Sequence, residues 1–246
     1  MFLSAFAVTI ILNRSTWPNN YFIVFLLAAI FLLFASLGFW RVKEVIADDQ
    51  ETHKYKFTDL WKELITNKRL IYFLFSINVL GLGQGLMPFI MLYANNSKVG
   101  TEDLVGNLLI AKTLGLILSG LVLYKRAQKL SYKKMMWFLW ALAIVFPLSA
   151  WIFSTHICFY YISFFLGGIF LTLYIITNSG VLLEISNTKN RALYTGIAGA
   201  GNILPVLFPL LGGSLIALTN FNVFFIFYIA LSATGIYFLY KMDCQK

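Results

Sequence analysis

The sequence predicts an all-α, polytopic membrane protein, a bundle of about eight helical spans, because its apolar runs match the roughly 30 Å hydrocarbon core of a bilayer. Hydrophobic residues make up 60% and charged residues 12% of the 246 positions, against about 45–50% and about 25% in soluble domains. Mean hydropathy is +0.79. The runs themselves carry the argument: uncharged stretches of about 20 residues cross a bilayer at 1.5 Å per residue, and no single soluble core hides several of them.

Eight candidate spans, a to h, cover residues 1–12, 21–40, 70–93, 104–124, 135–153, 158–183, 192–218 and 221–240. Span a is short, about 18 Å as a helix. Two readings are open for it. An N-terminal truncation would leave the end of a longer span. A signal peptide fits less well, because Met1-Phe2-Leu3 lacks a basic leader and Asn13 to Trp17 offers no small-residue cleavage site.

Loop charges set the orientation, since Lys and Arg stay on the cytoplasmic side. The a/b and c/d loops hold only Arg14 and Lys98, whereas 16 of the 19 basic residues fall in the b/c, d/e and f/g loops and after span h. Both termini are therefore expected in the cytoplasm of a multi-pass protein of the cell membrane. The same placement argues against nucleic acid as the partner of a chain with net charge +9, because the basic residues lie in loops between spans and not along one groove. The one basic residue inside a span is Lys112.

Residues 41–69 form the single long hydrophilic segment and divide the chain into a first part, 1–40, and a six-span part, 70–246. Within it Phe57, Leu60, Trp61, Leu64 and Ile65 recur at helical spacing opposite Asp59, Lys62 and Glu63. This stripe fits an interfacial helix; a plain tether is the competing reading.

Polar residues are distributed unevenly among the spans, and a polar group facing lipid is costly. Spans b, e and h are almost purely apolar. Spans c, d, f and g carry Asn78 and Gln84, Asn107 and Lys112, Asn178, and Asn202, which makes these four the expected walls of a cavity. Counted from the cytoplasmic ends of their spans, Gln84, Lys112 and Asn202 lie about 21, 18 and 15 Å deep. A midplane site between helices is where an alternating-access transporter binds its solute. The substrate-cavity candidates are Lys112, Gln84, Asn202, Asn78 and Asn178. Lys112 costs about 2.5–3.5 kcal/mol at a helix centre on insertion scales; if it faces the cavity it favours an anionic or carboxylate-bearing solute, and otherwise it snorkels outward along its stem. For Gln84 and Asn202 the alternative is an interhelical hydrogen bond that only holds the bundle together.

Glycine and proline concentrate in spans c and g: Gly81, Gly83, Gly85 and Pro88, then Gly196, Gly199, Gly201, Pro205, Pro209, Gly212 and Gly213. Close packing and bending are the expected uses. Enzyme chemistry has no visible basis. His53 and His156 stand apart from carboxylates and cysteines at ligand spacing, Cys158 and Cys244 form no metal or disulfide pattern, and no P-loop or nucleophile elbow occurs. No metal or cofactor is expected.

The two-plus-six arrangement around a long linker, with every third span purely apolar, resembles the major facilitator superfamily, whose two six-helix halves are joined by a cytoplasmic linker. Spans c to h look like the second half, and a and b like the fifth and sixth helices of the first. Ala127-Gln128-Lys129-Leu130-Ser131-Tyr132-Lys133-Lys134 stands where that family repeats its basic loop G-x-x-x-D-R-x-G-R-R, with Gln128 and Ser131 in place of Asp and Gly. Glu184 to Arg191, followed by a glycine-rich helix, resembles the loop between the tenth and eleventh helices. The resemblance implies secondary active transport of a small solute, with gating-loop candidates Lys129, Lys133, Lys134 and Arg191. It also implies that the first four helices, and half of the cavity, come from outside these 246 residues as partners of this bundle. A non-transporting scaffold or sensor, or an inactive transporter fragment, is the alternative. A channel is a more distant one, because no span carries a filter-like pattern.

Overall fold

The computed structural model describes residues 2–14, 18–40, 64–97, 104–126, 131–186 and 190–241. Among these, helices dominate: α1 Phe2–Arg14, α2 Asn19–Phe39, α3 Lys68–Asn96, α4 Leu104–Arg126, α5 Tyr132–Ile152, α6 Ile157–Ile185, α7 Arg191–Ala200, α8 Ile203–Leu218 and α9 Phe221–Lys241. Among the described residues seven stretches are long and apolar enough to cross a membrane, with Arg191–Leu218 taken as one. The 13-residue α1 falls short of that length, as span a did in the sequence. The protein is an all-α, multi-pass membrane protein. Of the proposed interfacial stripe, Phe57, Leu60 and Trp61 lie outside the described residues, as does Lys129; Leu64 packs against the core and Ile65 is exposed.

The helices alternate in direction, which brings Lys68, Lys125, Arg126, Lys133, Lys134, Arg191 and Lys241 to one end of the bundle, all exposed. At that basic end Asn67 caps α3, its Oδ1 accepting from the Leu70 N–H at 3.2 Å, and its amide donates to the Tyr194 hydroxyl at 2.9 Å. Arg69 pairs with Glu184 at 2.8 Å. At the opposite end Tyr93 packs on Phe221, and the Trp151 indole donates to Asn222 at 2.8 Å.

Helix α3 is the hub, with α5, α6, α8 and α9 packed around it and α4 reaching it through α6. The largest buried side chains, including Phe73, Trp140, Phe146, Tyr160, Phe164, Phe170, Phe224, Phe225 and Tyr228, come from α3, α5, α6 and α9. Each of α5 and α9 thus carries a buried inner face, while Trp137, Phe138 and Val145 on α5 and Ile226, Phe227 and Tyr237 on α9 face outward. Helix α2 is largely exposed, with Asn20 buried and Ile23 and Val24 half-buried; α1 packs on α4.

Prolines within these helices leave carbonyls without their usual donor, because proline has no N–H to give to the residue four before it. Pro147 frees the Ala143 carbonyl in this way, and the buried Tyr228 hydroxyl of α9 donates to it at 3.0 Å. The defect in α5 becomes a tie to α9.

Candidate functional site

Span g of the sequence is two helices. Pro205 cannot donate to the Gly201 carbonyl, and its ring disfavours helical backbone at the preceding residue. Helix α7 ends at Ala200, and α8 starts at Ile203 after Gly201 and Asn202. Three backbone groups are left to be satisfied at a depth where water is scarce. The Ile203 N–H turns back to Gly201 O at 3.0 Å. Asn78 of α3 supplies the rest: its Nδ2 donates to Gly201 O at 2.6 Å and to Leu74 O at 2.9 Å, and its Oδ1 accepts from the Leu204 N–H at 3.0 Å. One buried carboxamide staples both sides of the break.

Around the staple α3, α6 and α8 meet closely. A Cβ on Gly81 would collide with the Pro205 ring and approach the Tyr174 hydroxyl to 3.2 Å, so only glycine lets this contact form. Tyr174, buried on α6, donates to the Ile77 carbonyl at 3.2 Å. The Gln84 and Asn178 amides flank the same hydroxyl. Gln84 itself is exposed on the open side of α3, beside the exposed Pro88. Asn178 Oδ1 and Asn202 Oδ1 are both buried and have no hydrogen-bond partner. Counted along their helices from the basic end, Asn178, Asn78, Asn202, Tyr174 and Gln84 lie between about 10 and 24 Å deep.

The structure therefore gathers Asn78, Gln84, Asn178 and Asn202 around Tyr174 and the break. Lys112 stands apart from them. It is half-buried in α4, its own carbonyl lies under Gly168 of α6, and among the described residues it has no hydrogen-bond or ion-pair partner. Lys133, Lys134 and Arg191 are exposed at the basic end, on the first turns of α5 and α7. Tyr174 lies among these candidates and was not singled out from the sequence. Its signal was its place one turn before Asn178, which puts both on one face of α6.

The chain matches the description of the Major Facilitator Superfamily over residues 74–243. The chain belongs to the Major Facilitator Superfamily. The matched stretch runs from the first third of α3 to the end of α9 and includes all five cavity candidates. Members of the superfamily are membrane transporters, so the polar groups gathered between these helices belong to a transporter fold. No curated protein matches the chain.

Proposed function

We propose that this chain takes part in secondary active transport of a small solute by alternating access, with Gln84, Asn178, Asn202 and Tyr174 contacting the solute near the bilayer midplane. The observation that carries the reading is the helix break at Gly201 and Asn202, with the polar side chains of Asn78, Tyr174, Asn178 and Gln84 gathered near it inside the membrane-spanning bundle. Discontinuous helices at midplane depth are also where transporters place their binding sites.

In this reading residues 1–40 are the last two helices of a first bundle, 41–69 a cytoplasmic linker, and 70–246 the second bundle. The exposed basic end of α3 to α9 faces the cytoplasm, with both termini on that side of the cell membrane. Asn78 acts on the backbone and not on the solute, since both its N–H groups and one lone pair already serve α3 and the break. Lys112 guards the cavity from α4, and the basic loops at Lys129, Lys133, Lys134 and Arg191 take part in gating. Further helices complete the second wall opposite Gln84.

The test is labelling of single cysteines at Gln84, Lys112 and Asn202 by a membrane-impermeant thiol reagent, in a chain freed of Cys158 and Cys244. Labelling at Gln84 and Asn202 is expected, with access switching sides when a transported solute is added. Absence of labelling at all three would make these side chains packing groups and the protein a scaffold.

A further inference from the structure

Independently of any transport activity, we propose that the basic end of the bundle holds an anionic phospholipid at the corner where α4 ends and α5 begins. Lys125 and Arg126 close the last turn of α4, and Lys133 and Lys134 stand on the first turn of α5. All four are exposed, and among the described residues none has a hydrogen-bond or ion-pair partner. The two helix ends share one support: both helices pack on α6, and the Tyr132 ring lies against Gly180 near the basic end of α6. Like charges gathered in this way repel one another. Among the described residues the single carboxylate is Glu184, and it already pairs with Arg69. The other cations of this end are placed differently. Lys241 stands over the Tyr237 ring, 4.7 Å from its centre. Lys68 precedes Arg69 in the turn that meets Glu184, and Arg191 opens α7, whose Tyr194 reaches Asn67 beside that same turn.

Depth selects a lipid over a soluble anion. Lys125 stands at the basic end of an exposed apolar stripe formed by Leu118 and Leu121 on α4, and Lys134 at the end of one formed by Phe138 and Val145 on α5, each at helical spacing. The charges lie one turn, about 6 Å, from apolar surface. Tyr124, exposed beside Lys125, and Trp137, exposed one turn into α5, are rings of the kind that sit at headgroup level. A phospholipid matches both parts, its headgroup meeting the ammonium and guanidinium groups while its acyl chains run along the stripes. Lys and Arg clusters at the membrane ends of helices favour anionic headgroups for this reason. A zwitterionic headgroup brings its own cation and relieves the crowding less.

The experiment reconstitutes the 246-residue chain in phosphatidylcholine bilayers and compares spin-labelled phosphatidylglycerol with spin-labelled phosphatidylcholine in the fraction of lipid immobilised by the protein. Phosphatidylglycerol is expected to be favoured several-fold, and less so at high salt. Two variants that remove equal charge separate the corner from the rest of the basic end. Lys125→Gln with Lys133→Gln and Lys134→Gln should bring the preference close to parity, whereas Lys68→Gln with Arg191→Gln and Lys241→Gln should leave most of it. Arginine at Lys125, Lys133 and Lys134 keeps the charge and should keep the preference, which sets a lost charge apart from a damaged fold. Equal loss in the two glutamine variants would trace the preference to the overall charge of this end and overturn the proposal. A parent chain without preference overturns it as well, whether the cations stay in water or acidic linker residues such as Asp48, Asp49 and Glu51 cover them. So does a preference abolished by inorganic phosphate but not by sodium chloride of the same ionic strength, which would give the corner to a soluble anion.

Discussion

Where α4 meets α6, glycine lets two backbones touch; on α7 and α8, either side of the crowded Gly201, three glycines leave open space. A Cβ on Gly115 would run into the Phe165 carbonyl, and one on Gly168 into the Lys112 carbonyl, so each helix offers its glycine to the other's main chain. Thr172 adds a hydroxyl that reaches Leu116 O across the seam at 3.3 Å. Around the break, Gly196 and Gly199 of α7 and Gly213 of α8 have no atom within 4 Å of the Cβ position. The first pair of helices is locked by its small residues. At the second, a backbone turn from Ile203 to Gly201 and one side chain from a third helix, Asn78, join the two pieces. On the alternating-access reading proposed above, the first would move as one piece and the second would bend, with the same residue type serving both.

The largest effect is expected at the seam. Gly168→Leu drives a branched side chain into the α4 backbone, which cannot yield as a flexible side chain would. Overpacking of this kind costs about 1–3 kcal/mol and more when backbone is the obstacle. The protein should lose its monodisperse profile and its cooperative thermal transition in detergent. A variant that unfolds at the parent temperature would show that α4 and α6 are not locked.

Asn78→Leu comes next. It fills the same space, but takes the acceptor from the Leu204 N–H and leaves the Gly201 carbonyl with the Ile203 N–H alone; a group buried unpaired costs about 1–3 kcal/mol, and interhelical hydrogen bonds in membranes average nearer 0.6 kcal/mol. We expect a loss of about 2 kcal/mol, with faster amide exchange confined to residues 200–206. Exchange that quickens equally in α4 and α6 would mean that Asn78 supports the whole bundle and not the joint.

Much of this comparison was readable before any coordinates. The uncharged runs located the helices to within a few residues, span c at 70–93 against α3 at Lys68–Asn96 and span f at 158–183 against α6 at Ile157–Ile185, because a bilayer imposes a length that composition reveals. The family was readable too, in the linker and the arrangement of purely apolar spans. The break was not. Gly199, Gly201 and Pro205 announced that span g could bend, but a kinked helix and two separate helices share that signature. The choice depends on whether some other helix can satisfy the freed groups. Asn78 lies 126 residues before Leu204, and no local pattern connects them. Asn78 itself read as a cavity wall, since a carboxamide in a span looks the same from the sequence whether it serves a solute or a backbone.

The smallest effect sharpens the contrast most. Gly199→Ala places a methyl group in open space on the last turn of α7, and alanine is favoured over glycine in a helix by about 0.8–1.0 kcal/mol. Thermal stability should stay level or rise by no more than about 1 kcal/mol, in a chain where the same substitution at Gly168 meets backbone. The readout that matters is access, followed by labelling of a cysteine at Asn202 from each side of the membrane. If α7 and α8 pivot about the break, a stiffer α7 end leaves stability intact and slows the exchange of access between the two sides. If access exchanges at the parent rate, the pivot lies elsewhere, and the open glycines of α7 reflect only the absence of a neighbour.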